Sequence, residues 1–291
     1  TAIANGCFFN IGARLARYTG NETYAKRAED SWDWLWGTNF IDHDIYFVYD
    51  GAHVDTNCTD INRATFSYNA AVMLQGAAYM YNFPQLHRLQ DLAKSYEQTD
   101  GDRKWKYRVN KLTDSLLSNF FPEDIAYEVP CESRKGACSP DMLSFKGYVH
   151  RWLAVVTQIA PFTRNRILPV LRKSTEAAVK QCTGGDTGRV CGFYWSDGVY
   201  VDISVDRTSG AGEAMNVLAA VSSLLIEEAK VPVTDSSGGI SKGNPNAGGG
   251  RDNGLKKPKP ITTADRAGAG ILTLLLLGGA ASTFIWMSVF E

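Results

Sequence analysis

The chain has 291 residues, of which 44% are hydrophobic and 21% charged, an ordinary balance for a globular protein with a sizeable core. The formal net charge is -1 and no basic stripe is present, which gives no electrostatic reason to expect nucleic acid as a partner. Aromatic residues are plentiful, with 7 Trp, 13 Tyr and 13 Phe, and this fits carbohydrate stacking and a large helical core equally well.

Helical periodicity dominates the first 232 residues. Apolar residues at three- and four-residue spacing predict helices over 7–18 and 24–36, and the short turn between them makes an antiparallel hairpin. Further helices are predicted over 105–121, 142–160, 167–181 and 212–229. No strand-length alternation runs far enough to build a sheet. The sequence therefore predicts an all-α fold in which hairpin follows hairpin, closing as a solenoid or as a toroid.

The stretch 57–81, NCTDINRATFSYNAAVMLQGAAYMY, lies at the centre of this pattern. A polar N-cap region leads into a helix whose first turn carries Ser67, Tyr68 and Asn69. Backbone donors are free in the first turn of a helix, and amide and aromatic side chains there suit the hydroxyls and ring face of a sugar. The alternative is an N-cap followed by a core helix. We expect Gly76 to permit close helix packing and to have no chemical role.

Four of the six cysteines form two tight local pairs. Cys131 lies close to Cys138 in the sequence, and Cys182 lies close to Cys191 across a Gly-rich loop. We expect both pairs to form disulfides, which indicates an oxidising, secretory compartment. Neither spacing is typical of a zinc site and no histidine pattern accompanies them, so the sequence predicts no metal and no cofactor.

Two sequons support the same interpretation of a secretory protein, and two further cysteines remain to be assigned. Cys7 and Cys58 have no neighbour in sequence: they pair with each other, or one bridges to a cysteine in a longer protein. The tripeptides that begin at Asn21 and Asn57 are acceptors for N-linked glycans.

The C-terminal part of the chain has the composition of an anchor. The run 267–290 carries no charge and is long enough to cross a bilayer at about 20 residues per span. A polar spacer rich in Gly, Asn, Pro and Lys precedes it, which is the pattern of a GPI-attachment signal. The alternative is a permanent single span, which would break the positive-inside rule because the basic residues precede the run. We divide the chain into a helical domain over 1–232, a flexible spacer over 233–266 and a hydrophobic segment over 267–290.

Seven motifs carry a resemblance to a known family: NGCFFNIGARLARYTGNETYAKRAEDSWDW, VYDG, NCTDIN, TFSYNAAVMLQGAAYMYN, FFPEDIAYE, LSFKGYVHRW and TADRAGAGILT. Together they resemble the fungal cell-wall branch of glycoside hydrolase family 76, the mannan endo-1,6-alpha-mannosidases. The resemblance covers most of residues 1–232 and the tail. It implies an (α/α)6 toroid of helical hairpins, incomplete in this chain, and an enzyme anchored by GPI at the cell surface or in the wall.

The same resemblance implies a substrate and a reaction. Family members act on alpha-1,6-linked mannose, in wall mannan or in the glycans of GPI proteins, with wall glucan as a possible acceptor. They are retaining enzymes, so transfer to a sugar acceptor competes naturally with hydrolysis through a glycosyl-enzyme intermediate.

One departure concerns the catalytic carboxylates. The family uses two adjacent aspartates, and no Asp-Asp occurs in this sequence. We therefore expect the pair upstream of Thr1 and expect these residues by themselves to be inactive. We interpret the acidic neighbours Glu29-Asp30 and Glu123-Asp124 as solvated surface residues. Retaining chemistry instead needs two carboxyls about 5 to 5.5 Å apart across a cleft.

A second departure is the segment 84–98, where relatives have a short loop. We interpret it as an insertion, from a retained intron or an isoform. A ring that lacks some of its helices also leaves apolar faces uncovered, so we expect the chain by itself to be poorly soluble.

The resemblance places seven residues near the sugar-binding half of the cleft: Asn5, Tyr49, Asp50, Tyr68, Asn69, Phe145 and Lys146. Asp50 either accepts from mannose hydroxyls, steers a catalytic carboxyl, or simply forms the turn before Gly51. Lys146 either binds a sugar oxygen, holds a carboxylate, or is a surface lysine whose stem lies along apolar residues.

Three functions fit these observations. The first is a family 76 glycosidase or transglycosidase whose catalytic pair lies outside the sequence. The second is a non-catalytic, GPI-anchored wall protein that keeps a glycan cleft. The third is a helical toroid with other chemistry, such as a polysaccharide lyase, although the four histidines are scattered with no motif around them.

Overall fold

The computed structural model describes residues 1–88, 100–237 and 261–289. The chain forms two compact units, Thr1–Ala247 and Gly248–Glu291. Most of the predicted insertion at 84–98, and most of the predicted spacer, lie outside the described residues. The boundary at 232 therefore stays a prediction.

The first unit is built from helices, as predicted. Its described residues form seven α-helices: α1 Ala2–Thr19, α2 Glu22–Gly37, α3 Ser67–Arg88, α4 Asp100–Phe120, α5 Phe145–Ile159, α6 Arg164–Lys180 and α7 Ala211–Ser223. Left-handed Gly20, at φ 72°, ends α1, and Asn21 caps α2 by accepting from the Thr23 amide at 2.8 Å. The predicted 142–160 helix begins as a short 3-10 turn and becomes α-helical at Phe145.

A small β-hairpin, which the sequence did not predict, interrupts the helices. Strands β1 Tyr49–Gly51 and β2 Asn62–Thr65 pair antiparallel, with Tyr49 opposite Thr65. Strands of three and four residues are too short to produce a readable alternation, which is why the pattern of side chains gave no signal. The expectation of no sheet is wrong at this one place, and the hairpin becomes important because β1 carries Asp50.

The helices of the first unit form two layers. Helices α1, α3, α5 and α7 pack side by side as an inner layer, whereas α2, α4 and α6 pack against it as an outer layer. Alternation of inner and outer helices is the arrangement of successive helical hairpins, and it fits both of the predicted closures, the toroid and the solenoid. The described residues of α3 are buried almost all round, as a helix in the middle of a layer requires.

The aromatic core explains how closely the inner helices approach. Phe9 of α1 packs between Trp32 and Trp105, with ring centroids 5.6 and 5.8 Å away. A Cβ on Gly76 of α3 would lie 2.4 Å from the Phe9 ring. Gly76 is therefore required for the contact between α1 and α3, and the role assigned to it from sequence is confirmed.

Both expected disulfides are present, Cys131–Cys138 and Cys182–Cys191. Within the described residues, Cys7 and Cys58 are both unpaired, so the structure does not join them to each other. Among the sequon asparagines, Asn57 is exposed and Asn21 is partly buried at its cap position, and glycosylation of either stays a prediction.

The second unit contains one described helix, α8 Thr263–Val289. Residues Thr263–Ser288 are long and apolar enough to cross a membrane, judged by length and composition. The helix begins four residues before the uncharged run, at the polar turn in which Asp265 accepts from the Thr262 amide at 2.8 Å.

Candidate functional site

The first turn of α3 meets the β-hairpin at a buried amide. Asn69 Nδ2 donates to Asp50 Oδ1 at 3.2 Å, and Asn62 Nδ2 lies 3.4 Å from Asp50 Oδ2. Asn69 is completely buried, and its amide oxygen has no hydrogen-bond partner in the described part of the chain. A buried acceptor without a partner is costly, so this oxygen is a group whose hydrogen-bond partner the described residues do not supply.

Aromatic rings border this amide. The rings of Tyr68 and Phe145 lie 4.1 Å apart between centroids, and Phe66 packs edge-on against Phe145 at 5.8 Å. Burial, with the nearby Asp50 and Asp141 carboxylates, raises the pKa of Tyr68 to about 12. The Tyr68 hydroxyl therefore stays neutral over the range in which proteins work, and it can both donate and accept.

Lys146 lies behind this cluster and not at its surface. Its ammonium is buried, donates to Glu132 Oε1 at 2.7 Å and to the Phe193 carbonyl at 2.8 Å, and stands 4.2 Å from the centroid of the Phe193 ring. Of the roles considered from sequence, holding a carboxylate is the one that this geometry supports. The prediction that Lys146 is a surface lysine is wrong, because its side chain is not exposed to solvent.

Two buried glutamates, which the sequence did not single out, complete the structure behind the cluster. Glu128 accepts from the backbone amide of Ser67 at 3.3 Å and from the Ser67 hydroxyl. Glu132 Oε2 accepts from the Glu128 amide at 2.8 Å. Both glutamates lie in the loop between α4 and α5, which has no periodicity, so only tertiary packing reveals them. Their signals in the sequence are weak: Glu128 ends the motif FFPEDIAYE, and Glu132 lies between the paired cysteines Cys131 and Cys138.

The remaining two candidates make their hydrogen bonds to residues outside this cluster. Tyr49 points to the opposite side of β1 from Asp50, where its hydroxyl donates to Asp42 Oδ2 at 2.8 Å and Arg63 covers its ring. Asn5 donates to the carbonyl of Thr1 in its own helix at 2.9 Å. Tyr49 also lines a polar cavity of about 460 Å³, together with Asn39, Asp42, His43, Asp44, Thr59, Ile61 and Arg63.

The structure thus brings four of the seven predicted residues into contact with one another, whereas Asn5, Tyr49 and Lys146 bond to other groups. Asp50, Tyr68, Asn69 and Phe145 form one cluster, hereafter the amide–aromatic cluster. Within the described residues, no group of three or more His, Cys, Asp or Glu side chains is placed to hold a metal. The chemistry available to the cluster is hydrogen bonding to hydroxyls and stacking on a ring face, and assignment as sugar ligands stays a prediction.

Two layers of helical hairpins with an amide–aromatic cluster at one end define a protein of the α/α class. The sequence profile of glycosyl hydrolase family 76 matches residues 1–236. The chain belongs to this family.

Curated relatives support the fungal branch. Mannan endo-1,6-alpha-mannosidase DFG5 of Saccharomyces cerevisiae is 37% identical over 292 residues, covering 98% of this chain and 58% of the relative. A putative mannan endo-1,6-alpha-mannosidase of Schizosaccharomyces pombe is 36% identical, covering 94% of this chain and 57% of the relative. The chain therefore spans somewhat more than half the length of the relatives it matches.

Solved structures agree with the architecture. The crystal structure of Dfg5 from Chaetomium thermophilum, in complex with glucosamine, is 61% identical with a TM-score of 0.77, covering 85% of this chain and 56% of that one. The GH76A alpha-1,6-mannanase of Salegentibacter is 16% identical with a TM-score of 0.56, covering 78% of this chain and 59% of that one, and shares the fold. The predicted α/α toroid, incomplete in this chain, is thereby confirmed.

Proposed function

We propose that this chain is part of a glycoside hydrolase or transglycosidase that acts on alpha-1,6-linked mannose in the biogenesis of a fungal cell wall. The names of its relatives support the substrate, and the amide–aromatic cluster supplies the physical basis. The observation that carries the proposal is the buried Asn69 amide, fixed to Asp50 at 3.2 Å, with its oxygen unpartnered in the described part of the chain beside the Tyr68–Phe145 rings.

In this proposal the cluster binds the sugar and does not break the bond. The Asn69 oxygen accepts from one mannose hydroxyl, the Asp50 carboxylate accepts from another, and the Tyr68–Phe145 rings cover the apolar face. The carboxyl pair of a retaining mechanism is expected outside these 291 residues, because no two aspartates are adjacent in the sequence. Glu128 and Glu132 do not replace that pair, since they are buried and hydrogen-bonded to Ser67 and Lys146.

A second candidate rests on the same missing pair. A non-catalytic wall protein with a glycan cleft would keep the amide–aromatic cluster and have no adjacent aspartates anywhere in its full sequence. The genomic sequence before Thr1 separates the two candidates: an in-frame helix with Asp-Asp supports the enzyme, and its absence supports the binding protein.

We also propose that the protein is held at the outer face of the plasma membrane or in the wall. The length and apolar composition of α8 support an anchor, either as a GPI-attachment signal that is removed or as a permanent tail helix. Both disulfides fit this oxidising location.

Calorimetric titration of the chain with alpha-1,6-mannotriose tests the binding role. We expect binding, no measurable binding of alpha-1,4-glucotriose, and a loss of about tenfold or more in affinity for Asp50→Asn, since a hydrogen bond to a charged group contributes about 1.5–3 kcal/mol. Asp186→Asn, in an exposed loop, is the matched control and should bind as the wild type does. Equal affinity for the two sugars would refute the proposal.

Release of reducing ends from alpha-1,6-mannan tests the catalytic part. We expect none from these residues and turnover from a longer protein that contains the aspartate pair. Hydrolysis by the chain itself would mean that its carboxylates have been assigned wrongly.

A further inference from the structure

A buried set of charged side chains connects the start of α3, which carries Tyr68 and Asn69, to the start of α5, which carries Phe145. Glu128, Glu132 and Lys146 are 1%, 6% and 0% exposed, and the binding role proposed above uses none of them directly. Charged groups without exposure are rare in proteins unless they are paired or have a function. Their bonds run from Ser67 to Glu128, from the Glu128 amide to Glu132, and from Glu132 to Lys146.

Each end of this set holds one half of the cluster. At one end, Glu128 accepts from Ser67, the residue directly before Tyr68 and Asn69. At the other end, Lys146 is the residue directly after Phe145, whose ring packs on Tyr68. The loop that carries the two glutamates is closed in turn by the Cys131–Cys138 disulfide, which packs with Phe193 and Tyr194 in a small separate core.

The charges do not balance if all three groups are ionised. Glu132 and Lys146 are 2.7 Å apart and form a neutral pair, and the remaining bond of the ammonium goes to the Phe193 carbonyl. Glu128 is bonded to the Ser67 amide and hydroxyl and forms no direct ion pair with a described residue, although the Lys146 ammonium acts on it at longer range. A fully buried carboxylate without a cation is unfavourable, whereas a neutral acid can donate to the Ser67 hydroxyl and accept from the Ser67 amide.

We propose that Glu128, as a neutral acid, and the Glu132–Lys146 pair are positioning residues that hold the first turn of α3 against the start of α5 and so set the spacing of the sugar-binding cluster. The proposal rests on the proposed function for its consequence in binding, and on geometry alone for its structural part. It predicts that ionisation of Glu128 moves Tyr68 relative to Phe145.

The surroundings of Glu128 make this ionisation accessible to experiment. Burial raises the pKa of Glu128 to about 8, and the hydrogen bonds from Ser67 oppose that rise. The titratable groups that face it are Tyr68 of α3, Lys146 of α5 and Glu132 of its own loop. Tyr68, with a pKa of about 12, does not ionise over the same range. His150, which follows on α5, is neutral there because burial lowers its pKa to about 4.

The first experiment needs no ligand. Tyrosine side chains of the chain are labelled with carbon-13, the Tyr68 signal is assigned by its loss in Tyr68→Phe, and its shift is followed from pH 6 to pH 9. We expect a shift with a midpoint near pH 8 in the wild type and a flat profile in Glu128→Gln, which mimics the neutral acid. The same profile in both proteins would overturn the proposal.

The second experiment connects position to binding. Affinity for alpha-1,6-mannotriose should fall about tenfold between pH 7 and pH 9 in the wild type, because only the neutral form of Glu128 keeps the cluster competent, and should stay constant in Glu128→Gln. If no mannotriose binds at any pH while the Tyr68 shift is present, the proposed function fails and the positioning role stands.

Testing the role of the Glu132–Lys146 ion pair requires a variant that still folds. Lys146→Met alone leaves Glu132 buried and unpaired, so the test uses Glu132→Met with Lys146→Met, a replacement that buried ion pairs often tolerate. We expect the double variant to melt within a few degrees of the wild type, to bind mannotriose at least fivefold more weakly and to show a displaced Tyr68 signal. A wild-type Tyr68 signal in the folded double variant would show that the pair has no positioning role.

Discussion

The inner-layer helices differ in how completely they are covered. In α3 every residue from 69 to 80 is buried, whereas α1 and α7 bury one face and expose an apolar stripe on another. The stripe on α1 includes Phe8 and Ile11, and that on α7 includes Met215 and Leu218, all more than half exposed. No described helix of the first unit covers either stripe.

This difference teaches how the layer is built. A helix with neighbours on both sides has apolar residues around its whole circumference, and a helix with one neighbour has the same composition but leaves part of it in solvent. Because the relatives are longer than this chain, we expect further helices of a longer protein to lie on the α1 and α7 stripes. The predictions that follow test this view, in order of decreasing effect.

The largest expected difference in stability is between substitutions at two leucines. Leu74 of α3 is 0% exposed and Leu218 of α7 is 69% exposed. We expect Leu74→Ala to lower the free energy of unfolding by about 2–5 kcal/mol and Leu218→Ala to change it by about 0.5 kcal/mol or less. Urea titration of the chain measures both. Similar losses would mean that the stripe on α7 is already packed.

Burial of His150 in α5 also makes the stability of the fold sensitive to acid. His150 of α5 is buried, its Nδ1 donates to the Lys146 carbonyl at 2.6 Å, and its Nε2 accepts from the Ser174 hydroxyl at 3.0 Å. Burial lowers its pKa from 6.5 to about 4, so the folded state binds the proton less well than the unfolded state. Stability from this group is present above pH 6.5 and is lost as the pH falls through 4, by about 3 kcal/mol.

The measurement is the difference in unfolding free energy between the wild type and His150→Asn, as a function of pH. Taking the difference cancels the opposite trend of Glu128, whose raised pKa gives stability that is lost as the pH rises through about 8. A difference that does not change between pH 7 and pH 4 would contradict the neutral, buried state of His150.

Two glycines test the spacing of the inner layer. Gly76→Ala places a methyl group against the Phe9 ring, and we expect it to lower the free energy of unfolding by about 1–3 kcal/mol, as overpacked cores do. Gly37, at the end of α2, has nothing within 4 Å of its would-be Cβ, so Gly37→Ala should be neutral or stabilise by about 0.5 kcal/mol. A neutral Gly76→Ala would show that α1 and α3 can separate without cost.

The smallest effect on stability comes from the stripes themselves. Phe8→Gln combined with Leu218→Gln should change the unfolding free energy by about 0.5 kcal/mol or less and reduce self-association of the chain, seen by light scattering. Phe9→Gln, one position along α1 at a buried residue, is the control and should unfold the chain. In a longer relative the same double change should cost more, because its helices would cover both sites.

Sequence periodicity was sufficient for the helices and insufficient for the site. The helices were predictable because apolar residues repeat over many turns. The position of Ser67, Tyr68 and Asn69 in the first turn of α3 was predicted correctly, but the polar region predicted to cap that helix ends at Asn62, which lies in β2. The hairpin that delivers Asp50 was not predictable, because its strands are three and four residues long. Glu128 and Glu132 were not either, since a loop position carries no period and becomes a neighbour of Ser67 only through tertiary packing.

The cap of α2 has a practical consequence for studies of glycosylation. Asn21 is both a sequon acceptor and the residue whose side-chain oxygen receives the Thr23 amide, and attachment of a glycan to its nitrogen leaves that oxygen in place. The usual Asn→Gln replacement would remove the sugar and the cap together, at about 0.5–2 kcal/mol for the cap. Thr23→Ala abolishes the sequon while Asn21 still caps the helix, so it is the variant that separates a carbohydrate effect from a helix-end effect.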